Sequence, residues 1–394
     1  MHRSLSAGLL SAGMALAGAQ VASARVVERS GDTYHVSVCP QVAREKARCH
    51  AHVVTNSSGR ALVNRVSPDR KVPFGFGPAD LRSAYSVTGT GHPGTIIAIV
   101  DAFGYAAAEA DLAVYRSTYS LPPCTTANGC FTKYNQKGKK KNYPPDDTGW
   151  AQESALDLDM ASAMCPDCSI ILVEGDSNSF RNLALAVDTA AGKGAHVISN
   201  SYGGGESGGA SFESHYDHPG VAVTASTGDS GYGIAFPATS PHVIAVGGTH
   251  LRKDTTVPRG WTETAWSGAG SGCSDLFAKP AWQTDKKCHM RMEADVSAVA
   301  DPLTGVAVYG PTGGGGSGWL VFGGTSVSAP LIGGVYGVNG GPVIYGSDPY
   351  AHTDKLHDVK MGSNGSCPFN YWCNAVKGYD GPTGLGTPDG VQAF

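Results

Sequence analysis

One serine of the sequence stands in a setting that suits nucleophilic chemistry. Ser326 lies in the stretch Gly-Gly-Thr-Ser-Val-Ser-Ala-Pro at residues 323–330, between an apolar run typical of a strand and a run typical of a helix. At a helix N-terminus the serine oxygen is close to unpaired backbone N–H groups, which favour developing negative charge. Such a position suits acyl transfer. The alternative is that Thr325 or Ser326 only caps the helix, but the length of the motif favours a nucleophile.

Two acidic residues lie four positions apart in another stretch with helical spacing. Glu153 and Asp157 belong to a helix predicted from Trp150 to Met164, and their spacing places them on one face. Two ionised carboxylates repel each other, so they coexist best when they share a proton and titrate as a pair. The alternative is an amphipathic helix whose acids face water. Asp159 falls on a different face, and we expect it to be structural.

Alternating strands and helices must position these residues. Apolar runs predict strands, and runs with helical spacing predict helices between them. The predicted strands are 95–100, 169–173, 196–199, 221–224 and 242–246, and the predicted helices are 106–119, 150–164 and 182–193. This order favours an α/β fold, with a mostly parallel twisted sheet covered by helices on both faces. Ligands bind beyond the carboxyl ends of such strands, where Asp101, Ser201 and Asp229 fall.

The composition excludes some classes of partner. The 394 residues include 41% hydrophobic and 16% charged residues, and the net charge is −4. We therefore expect no binding to nucleic acid or membranes. The one basic cluster, residues 137–141, is interpreted as a solvated loop.

The N-terminus and the cysteines predict export. His2 and Arg3 precede an apolar run at residues 7–21, and Ala-Ser-Ala at 22–24 fits a cleavage site, so residues 1–24 are interpreted as a signal peptide rather than a frayed helix. Ten cysteines suit an oxidising compartment. They lie as close neighbours, which makes neighbour pairing the simplest connectivity but leaves others open. Cys165 and Cys168 end a helix rather than begin one, which favours a structural disulfide over a redox site.

Together these motifs resemble a known family. The stretch from Gly324 to Pro330 resembles the serine motif of the subtilisin-like clan, but the His-Gly-Thr-His-type motif of subtilisins does not occur among the 13 histidines. The helix with Glu153 and Asp157 is instead similar to that of the sedolisins, or serine-carboxyl peptidases. The resemblance begins near Pro73 and continues to the end of the chain. It implies a subtilisin-like fold with a single catalytic domain.

The resemblance implies a role for each of these residues. Ser326 would be the nucleophile, Glu153 the general base that takes its proton, and Asp157 the group that orients Glu153. Asp229, in a Gly-Asp-Ser-Gly stretch, resembles the sedolisin aspartate that must be protonated to donate a hydrogen bond in the oxyanion hole. The alternative for Asp229 is an ordinary turn. Because carboxyl groups titrate near ~4, the resemblance implies activity in acid.

Two further residues are expected to support the site. Asp101 ends the first strong strand, where subtilisins keep their catalytic aspartate, and by resemblance to some sedolisins it would support Asp157. Tyr202 stands where relatives often have tryptophan and would line the site.

The C-terminal region resembles the calcium site of sedolisins. The resemblance implies one structural Ca²⁺ held by the side chains of Asp358 and Asp380 and by the carbonyl groups of Val359, Val376 and Gly378. Ca²⁺ prefers such hard oxygen ligands. The alternative is a pair of turn aspartates.

These inferences predict a secreted, acid-active endopeptidase that acts on proteins or peptides, with no need for more than a monomer. Residues 73–394 would form the peptidase domain. Residues 25–72 are too few for the usual sedolisin propeptide, so they would be a reduced propeptide or a mature segment held by Cys39 and Cys49. Three alternatives remain: a tripeptidyl-peptidase of the same family, a silent binding protein on the same fold, and a subtilisin-type enzyme with Asp101 and a histidine base.

Overall fold

The computed structural model describes residues 26–65, 72–92 and 94–394. The predicted signal peptide, residues 1–24, lies outside the described residues. No helix in the described part of the chain combines the length and apolar character that a membrane span requires.

Helices and strands alternate through most of the described chain. The helices are α1 (Pro78–Ala84), α2 (Ala108–Thr118), α3 (Thr148–Met164), α4 (Phe180–Gly192), α5 (Glu206–Gly209), α6 (Thr325–Asn339) and α7 (Ser347–Ala351). The strands are β1 (Glu28–Ser30), β2 (Thr33–Ser37), β3 (Arg48–Cys49), β4 (His52–Thr55), β5 (Ile96–Ala102), β6 (Phe131–Asn135), β7 (Ser169–Gly175), β8 (Val197–Asn200), β9 (Tyr202–Gly203), β10 (Ala222–Ser226), β11 (Ile244–Lys253), β12 (Trp261–Ala265), β13 (Gly272–Ala278), β14 (Met290–Glu293), β15 (Val296–Val299), β16 (Val306–Pro311), β17 (Ser317–Gly323), β18 (Leu356–His357) and β19 (Thr387–Pro388).

The central sheet confirms the predicted α/β class. Its order is β12-β11-β10-β8-β5-β7-β6, with β15 also paired to β11. Its strands run parallel except for the β11–β12 pair. The five predicted strands correspond to β5, β7, β8, β10 and β11, because long apolar runs form strands that are buried on both faces. The carboxyl ends of β5, β8 and β10 therefore meet at one edge, which positions the candidate site.

Helix α3 is buried on all sides. Every residue from Gly149 to Met164 is buried, and the helix packs against β5, α2, α6 and β16. Its N-terminus is capped by Asp147, whose side chain accepts a hydrogen bond of 3.0 Å from the backbone N–H of Trp150. The alternative in which the acids of this helix face water is therefore wrong.

A second sheet joins the N-terminal segment to the region of the serine motif. Its order is β1-β2-β4-β17-β16, and β4 pairs antiparallel with β17, the strand that leads to α6. Val36, Val38 and Val53 of the N-terminal segment belong to the main hydrophobic core. The segment is thus packed into the fold and does not lie loosely on its surface.

The ten cysteines form disulfides between neighbours, as the simplest connectivity predicts. The pairs are Cys39–Cys49, Cys124–Cys130, Cys165–Cys168, Cys273–Cys288 and Cys367–Cys373. Cys165 caps the C-terminus of α3 and Cys168 directly precedes β7, so this disulfide joins a helix end to a strand start. That placement agrees with a structural role.

Candidate active site

Ser326 lies in the first turn of α6, where the sequence predicts a helix N-terminus. Its side chain is fully buried, and its hydroxyl donates a hydrogen bond of 3.2 Å to the carbonyl oxygen of Ser201. The preceding Gly324 has a φ of 100°. A Cβ atom at Gly324 would lie 1.9 Å from the carbonyl oxygen of His50 and 2.6 Å from Oδ2 of Asp229, so only glycine fits this turn.

Glu153 and Asp157 face the serine from α3 without compensating partners. Both are fully buried. Within the described part of the chain, their carboxylate oxygens have no hydrogen-bond partner. Burial raises the pKa of Glu153 well above its usual value, and the charges of Asp157 and Asp101 raise it further. The hydroxyl of Ser326 lowers the pKa of Glu153, because it lies beside the Glu153 carboxylate.

The pKa of Asp157 is raised for the same reasons. Burial has the largest effect and the charge of Asp101 adds to it, while the hydroxyl of Ser201 lowers this pKa. The two acids of α3 therefore favour states in which at least one of them is protonated.

Asp101, at the end of β5, is close to this pair but is not hydrogen-bonded to it. Its Oδ2 accepts a hydrogen bond of 2.8 Å from the hydroxyl of Ser154, and its Oδ1 has no partner among the described residues. Burial raises the pKa of Asp101 to about 7. Asp101 thus acts on Asp157 through its charge and on α3 through Ser154.

Asp229 follows β10 and contacts the turn that precedes Ser326. Its Oδ1 accepts hydrogen bonds from the backbone N–H of Thr325 at 2.8 Å and from the Thr325 hydroxyl at 2.7 Å. Its Oδ2 is buried and lies 3.5 Å from Nε2 of His52. Burial raises the pKa of Asp229 to about 7 against the lowering effect of the Thr325 hydrogen bonds.

Tyr202 contributes its backbone to the cleft, not its ring. The ring is fully buried, and its hydroxyl donates a hydrogen bond of 2.8 Å to Oδ1 of Asn200 and lies 3.2 Å from the Tyr216 hydroxyl. The backbone of Tyr202 pairs instead with Cys49 of the N-terminal segment.

The N-terminal segment runs alongside the part of the site formed by Ser201 and β9. Arg48 and Cys49 pair antiparallel with the backbone of β9, and the backbone N–H of His50 donates a hydrogen bond of 3.2 Å to the carbonyl of Ser201. The same carbonyl oxygen also accepts the hydrogen bond from the hydroxyl of Ser326. An extended strand beside a sheet edge is how a peptide substrate binds by strand addition, so residues 48–50 occupy a substrate-like position.

The C-terminal loop brings the two predicted calcium-binding acids together. Asp380 is buried, and its carboxylate accepts hydrogen bonds of 3.0 Å from the backbone N–H groups of Val376 and Thr383. Both carboxylate oxygens of Asp358 lie 3.1 Å from the backbone nitrogen of Gly378. Burial, and then the charge of Asp358, raises the pKa of Asp380 to about 8.

This loop fits a hard cation. The carbonyl oxygens of Val359, Val376 and Gly378 accept no hydrogen bond from any residue in the described ranges. Three free carbonyl groups beside two carboxylates form the all-oxygen donor set that Ca²⁺ prefers. In the structure Nζ of Lys360 lies 3.7 Å from Oδ2 of Asp358 and supplies part of the compensating charge.

Sequence reasoning missed several residues that contact these groups. Ser154 and Thr325 hydrogen-bond Asp101 and Asp229, and each directly neighbours a predicted site residue in the sequence. His50 and His52 gave no signal, because they lie in a polar N-terminal stretch without a motif. No histidine in the described part of the chain hydrogen-bonds the hydroxyl of Ser326, which argues against a histidine base.

Several known proteins resemble this chain in sequence. The model of the subtilase family matches residues 138–339, just over half of the chain. Kumamolisin from Bacillus sp. (strain MN-32) is 29% identical over 368 residues, which cover 81% of this chain and 63% of kumamolisin. Sedolisin from Pseudomonas sp. (strain 101) is 34% identical over 182 residues, which cover 41% of this chain and 30% of sedolisin. The chain thus spans less than two thirds of the length of these two relatives.

A solved structure has the same fold. Pseudomonas sedolisin, a serine-carboxyl proteinase complexed with two molecules of pseudo-iodotyrostatin, superposes with a TM-score of 0.68 at 24% identity. The superposition covers 81% of this chain and 96% of that structure. The fold is therefore subtilisin-like, as the sequence predicts. The chain belongs to the subtilase family and, within it, to the sedolisin family.

Proposed function

We propose that this chain is a secreted serine-carboxyl endopeptidase that hydrolyses peptide bonds at acidic pH. The observation that carries the proposal is the position of the Ser326 hydroxyl beside a buried pair of carboxylates that lack partners. Glu153 takes the proton of Ser326 as the serine oxygen attacks the peptide carbonyl carbon, and it returns this proton to the leaving amine. Asp157 holds Glu153 in place by sharing a proton with it.

Asp229 completes the proposed mechanism as the oxyanion donor. A carboxyl group can donate a hydrogen bond only while it is protonated, and burial favours the protonated form. Its contact with Thr325, in the turn before Ser326, supports this role. Acidic solution would favour a donating Asp229, while Glu153 would act as the base in those molecules whose Glu153/Asp157 pair retains one negative charge.

The relatives support this activity and leave the mode of cleavage to experiment. Sedolisin is described as a serine-carboxyl proteinase. Two other relatives are tripeptidyl-peptidases, from Aspergillus fumigatus at 24% identity and from Bos taurus at 27% identity. We propose internal cleavage because the solved structure that superposes over 81% of this chain is described as that of a proteinase and not of a tripeptidyl-peptidase. Release of tripeptides from N-termini is the second candidate.

Five disulfides support a place in an oxidising compartment.

We also propose that Asp358, Asp380 and the carbonyl groups of Val359, Val376 and Gly378 hold one structural Ca²⁺. The ion would supply positive charge to two neighbouring carboxylates and fix the loop between residues 376 and 380. Removal of Ca²⁺ by a chelator should then lower the melting temperature, and Asp380→Asn should lose most of this response.

Residues 25–72 are proposed to be a latency segment. The pairing of Arg48 and Cys49 with β9 and the complete burial of Ser326 support this assignment, because no substrate can reach the serine while the segment is in place. Residues 73–394 would then be the peptidase domain. Purified full-length protein held at pH 4 should gain activity as its N-terminus is shortened, as measured by intact mass. Full activity with residues 25–72 intact and still paired would contradict this assignment.

The central test uses the acid-activated protein and a denatured protein substrate. Ser326→Ala and Glu153→Gln should each abolish cleavage at pH 4, and mass spectrometry of the products separates internal cleavage from tripeptide release. Ser328→Ala, two residues further along the same helix, is the matched control and should remain active. Unchanged activity in Ser326→Ala or Glu153→Gln would disprove the mechanism. Lack of all activity in the wild-type protein, with its N-terminus removed, would favour a silent binding protein.

A further inference from the structure

Two histidines of the N-terminal segment face each other in a buried position that the proposed catalysis does not use. Nδ1 of His35 lies 2.9 Å from Nδ1 of His52, and both side chains are almost completely buried. A carboxylate oxygen of Glu28 and one ring nitrogen of each histidine all lie within 4.8 Å of one another. This cluster belongs entirely to β1, β2 and β4.

The strand register brings the three side chains to one face. Glu28 and His35 are directly opposite in the antiparallel β1–β2 pair. In the β2–β4 pair Ser37 is opposite His52 and His35 is opposite Val54, so His35 and His52 are diagonal neighbours on one face. Opposite and diagonal neighbours are the positions from which side chains across strands make contact. The cluster is therefore fixed by the sheet and does not depend on a loop.

The orientation of His52 is that of a metal ligand. While its Nδ1 points to His35, its Nε2 lies 3.5 Å from Oδ2 of Asp229, an oxygen with no hydrogen-bond partner among the described residues. Histidines that bind a metal usually donate their other ring N–H to a carboxylate. Two ligand nitrogens around Zn²⁺ at about 2.0–2.1 Å would be about 3.3 Å apart in a tetrahedral site. The observed separation requires an opening of only a few tenths of an ångström.

A metal ion could reach this position from solvent. Glu28 is exposed, and an open cleft of about 290 Å³ is lined by Glu28, His35, Asp229 and Trp266, among others. The cleft also leaves room for a water molecule as a fourth ligand. Two imidazoles and one carboxylate form a donor set that suits Zn²⁺ and other late transition metals, whereas Ca²⁺ prefers a site made of oxygen ligands only.

We propose that Glu28, His35 and His52 form a binding site for a transition-metal dication of the Zn²⁺ class, with Asp229 holding the second ring nitrogen of His52. Such an ion would join β1, β2 and β4 and fix the segment that covers Ser326. Binding itself does not rest on the proposed peptidase activity. The alternative occupant of the gap between the rings is a single proton, shared in a hydrogen bond from one Nδ1 to the other.

The test measures metal binding directly on the full-length Ser326→Ala protein, which keeps its N-terminal segment whether or not the wild type is a peptidase. Zn²⁺ is titrated against a chromogenic chelator in excess Ca²⁺, so that the C-terminal loop does not compete. We expect one equivalent of Zn²⁺ to bind. Co²⁺ should give the visible absorption of a four-coordinate site, and Zn²⁺ should displace it.

Variants in the same background locate the site. His35→Gln and His52→Gln should each weaken Zn²⁺ binding by at least about 100-fold, and Asp229→Asn by about 10–100-fold. Glu28→Gln changes an exposed residue, so it should fold normally and still weaken binding by about 10-fold. His250→Gln is the matched control, because His250 contacts Asp301, which follows β15, and is not one of the three cluster residues. Circular dichroism checks that each variant folds.

Two results would overturn the proposal. One is the absence of saturable Zn²⁺ binding to the folded wild-type segment. The other is binding that stays unchanged in both folded Glu28→Gln and folded His35→Gln. Either result would leave the two histidines as a hydrogen-bonded pair.

Discussion

Two buried pairs of ionisable residues, each four positions apart, differ in how their charge is compensated. Arg291 and Asp295 are fully buried and form an ion pair, in which Nη1 of Arg291 lies 2.7 Å from Oδ1 of Asp295. The same carboxylate also accepts hydrogen bonds from the backbone N–H of Ala245 at 2.8 Å and the Tyr350 hydroxyl at 3.0 Å. Glu153 and Asp157 are equally buried, but they carry like charges and have no such partners.

The difference separates a structural pair from a reactive one. A buried charge with a partner and satisfied hydrogen bonds holds neighbouring elements in one arrangement. Buried carboxylates without partners have raised pKa values and readily exchange protons, which is the property a general base needs. The cost in stability of leaving them uncompensated is a signature of a functional site.

The largest expected effect is on catalysis. Asp157→Asn keeps the shape of the side chain but removes its ability to share a proton with Glu153, so kcat should fall by about 10⁴-fold, as for the aspartate of a serine triad. Hydrolysis of a denatured protein at pH 4 by the acid-activated enzyme measures it. Asp159→Asn on the same helix is the control. The Asp159 carboxylate accepts a hydrogen bond from the backbone N–H of Tyr309 and has no role in the proton transfer proposed for Glu153 and Asp157. Full activity of the Asp157→Asn enzyme would show that the Glu153/Asp157 pair is not a reactive pair.

The structural pair should respond in stability. Arg291→Met leaves the Asp295 carboxylate buried without its partner and should lower the free energy of unfolding by about 3–5 kcal/mol. The double variant Arg291→Met/Asp295→Leu should recover much of this loss, since an apolar pair carries no desolvation penalty. Urea unfolding of both variants in the Ser326→Ala background gives the values. A loss of less than about 1 kcal/mol in the single variant would mean that water reaches this pair.

The reactive pair should make the protein less stable as the pH rises. Burial raises the pKa values of Glu153, Asp157 and Asp101 above those in the unfolded chain, so the folded protein holds protons that the unfolded chain releases. For Asp101 this stability is complete below pH ~4 and is lost as the pH rises through about 7, its pKa in the folded protein. A shift of this size for Asp101 alone corresponds to roughly 4 kcal/mol.

Urea unfolding of Ser326→Ala between pH 4 and 8, in saturating Ca²⁺, tests this dependence. Asp101→Asn should flatten the curve, whereas Asp32→Asn, at an exposed site, should leave it unchanged. Stability that increases over this range would mean that the carboxylates are ionised and compensated in the folded protein.

The smallest effect is a gain in stability. At pH 7 Asp157→Asn replaces a carboxyl that must bind a proton on burial by a neutral amide, and the free energy of unfolding should increase by about 1–2 kcal/mol. Thermal unfolding at pH 7 and pH 4 checks this, because the gain should shrink at pH 4, where about half of the carboxyl groups at this position are already protonated in the unfolded chain. Loss of stability at pH 7 would show that Asp157 is not a destabilising residue.

Much of the fold followed from local patterns. The runs that became β5, β7 and β8 are mostly apolar, and the spacing of residues 150–164 is helical, so both element types could be predicted before any contact was known. The Glu153/Asp157 spacing likewise predicted a shared face. The position of Ser201 at the end of β8 marked it as a polar residue near the site, but its role as the acceptor for Ser326 depends on the geometry of the cleft.

The sequence by itself determined the order of the central strands and helices, the close spacing of the cysteines that favours neighbour pairing, and the types and spacing of the residues around Ser326. These features depend on periodicity, on motif and on short separations along the chain. Only the tertiary structure decided that α3 is buried on all sides, that residues 48–50 cover the serine, and that His52 contacts Asp229. The last two contacts join residues that are more than 100 positions apart, and local propensity carries no information about which distant surfaces will pack together.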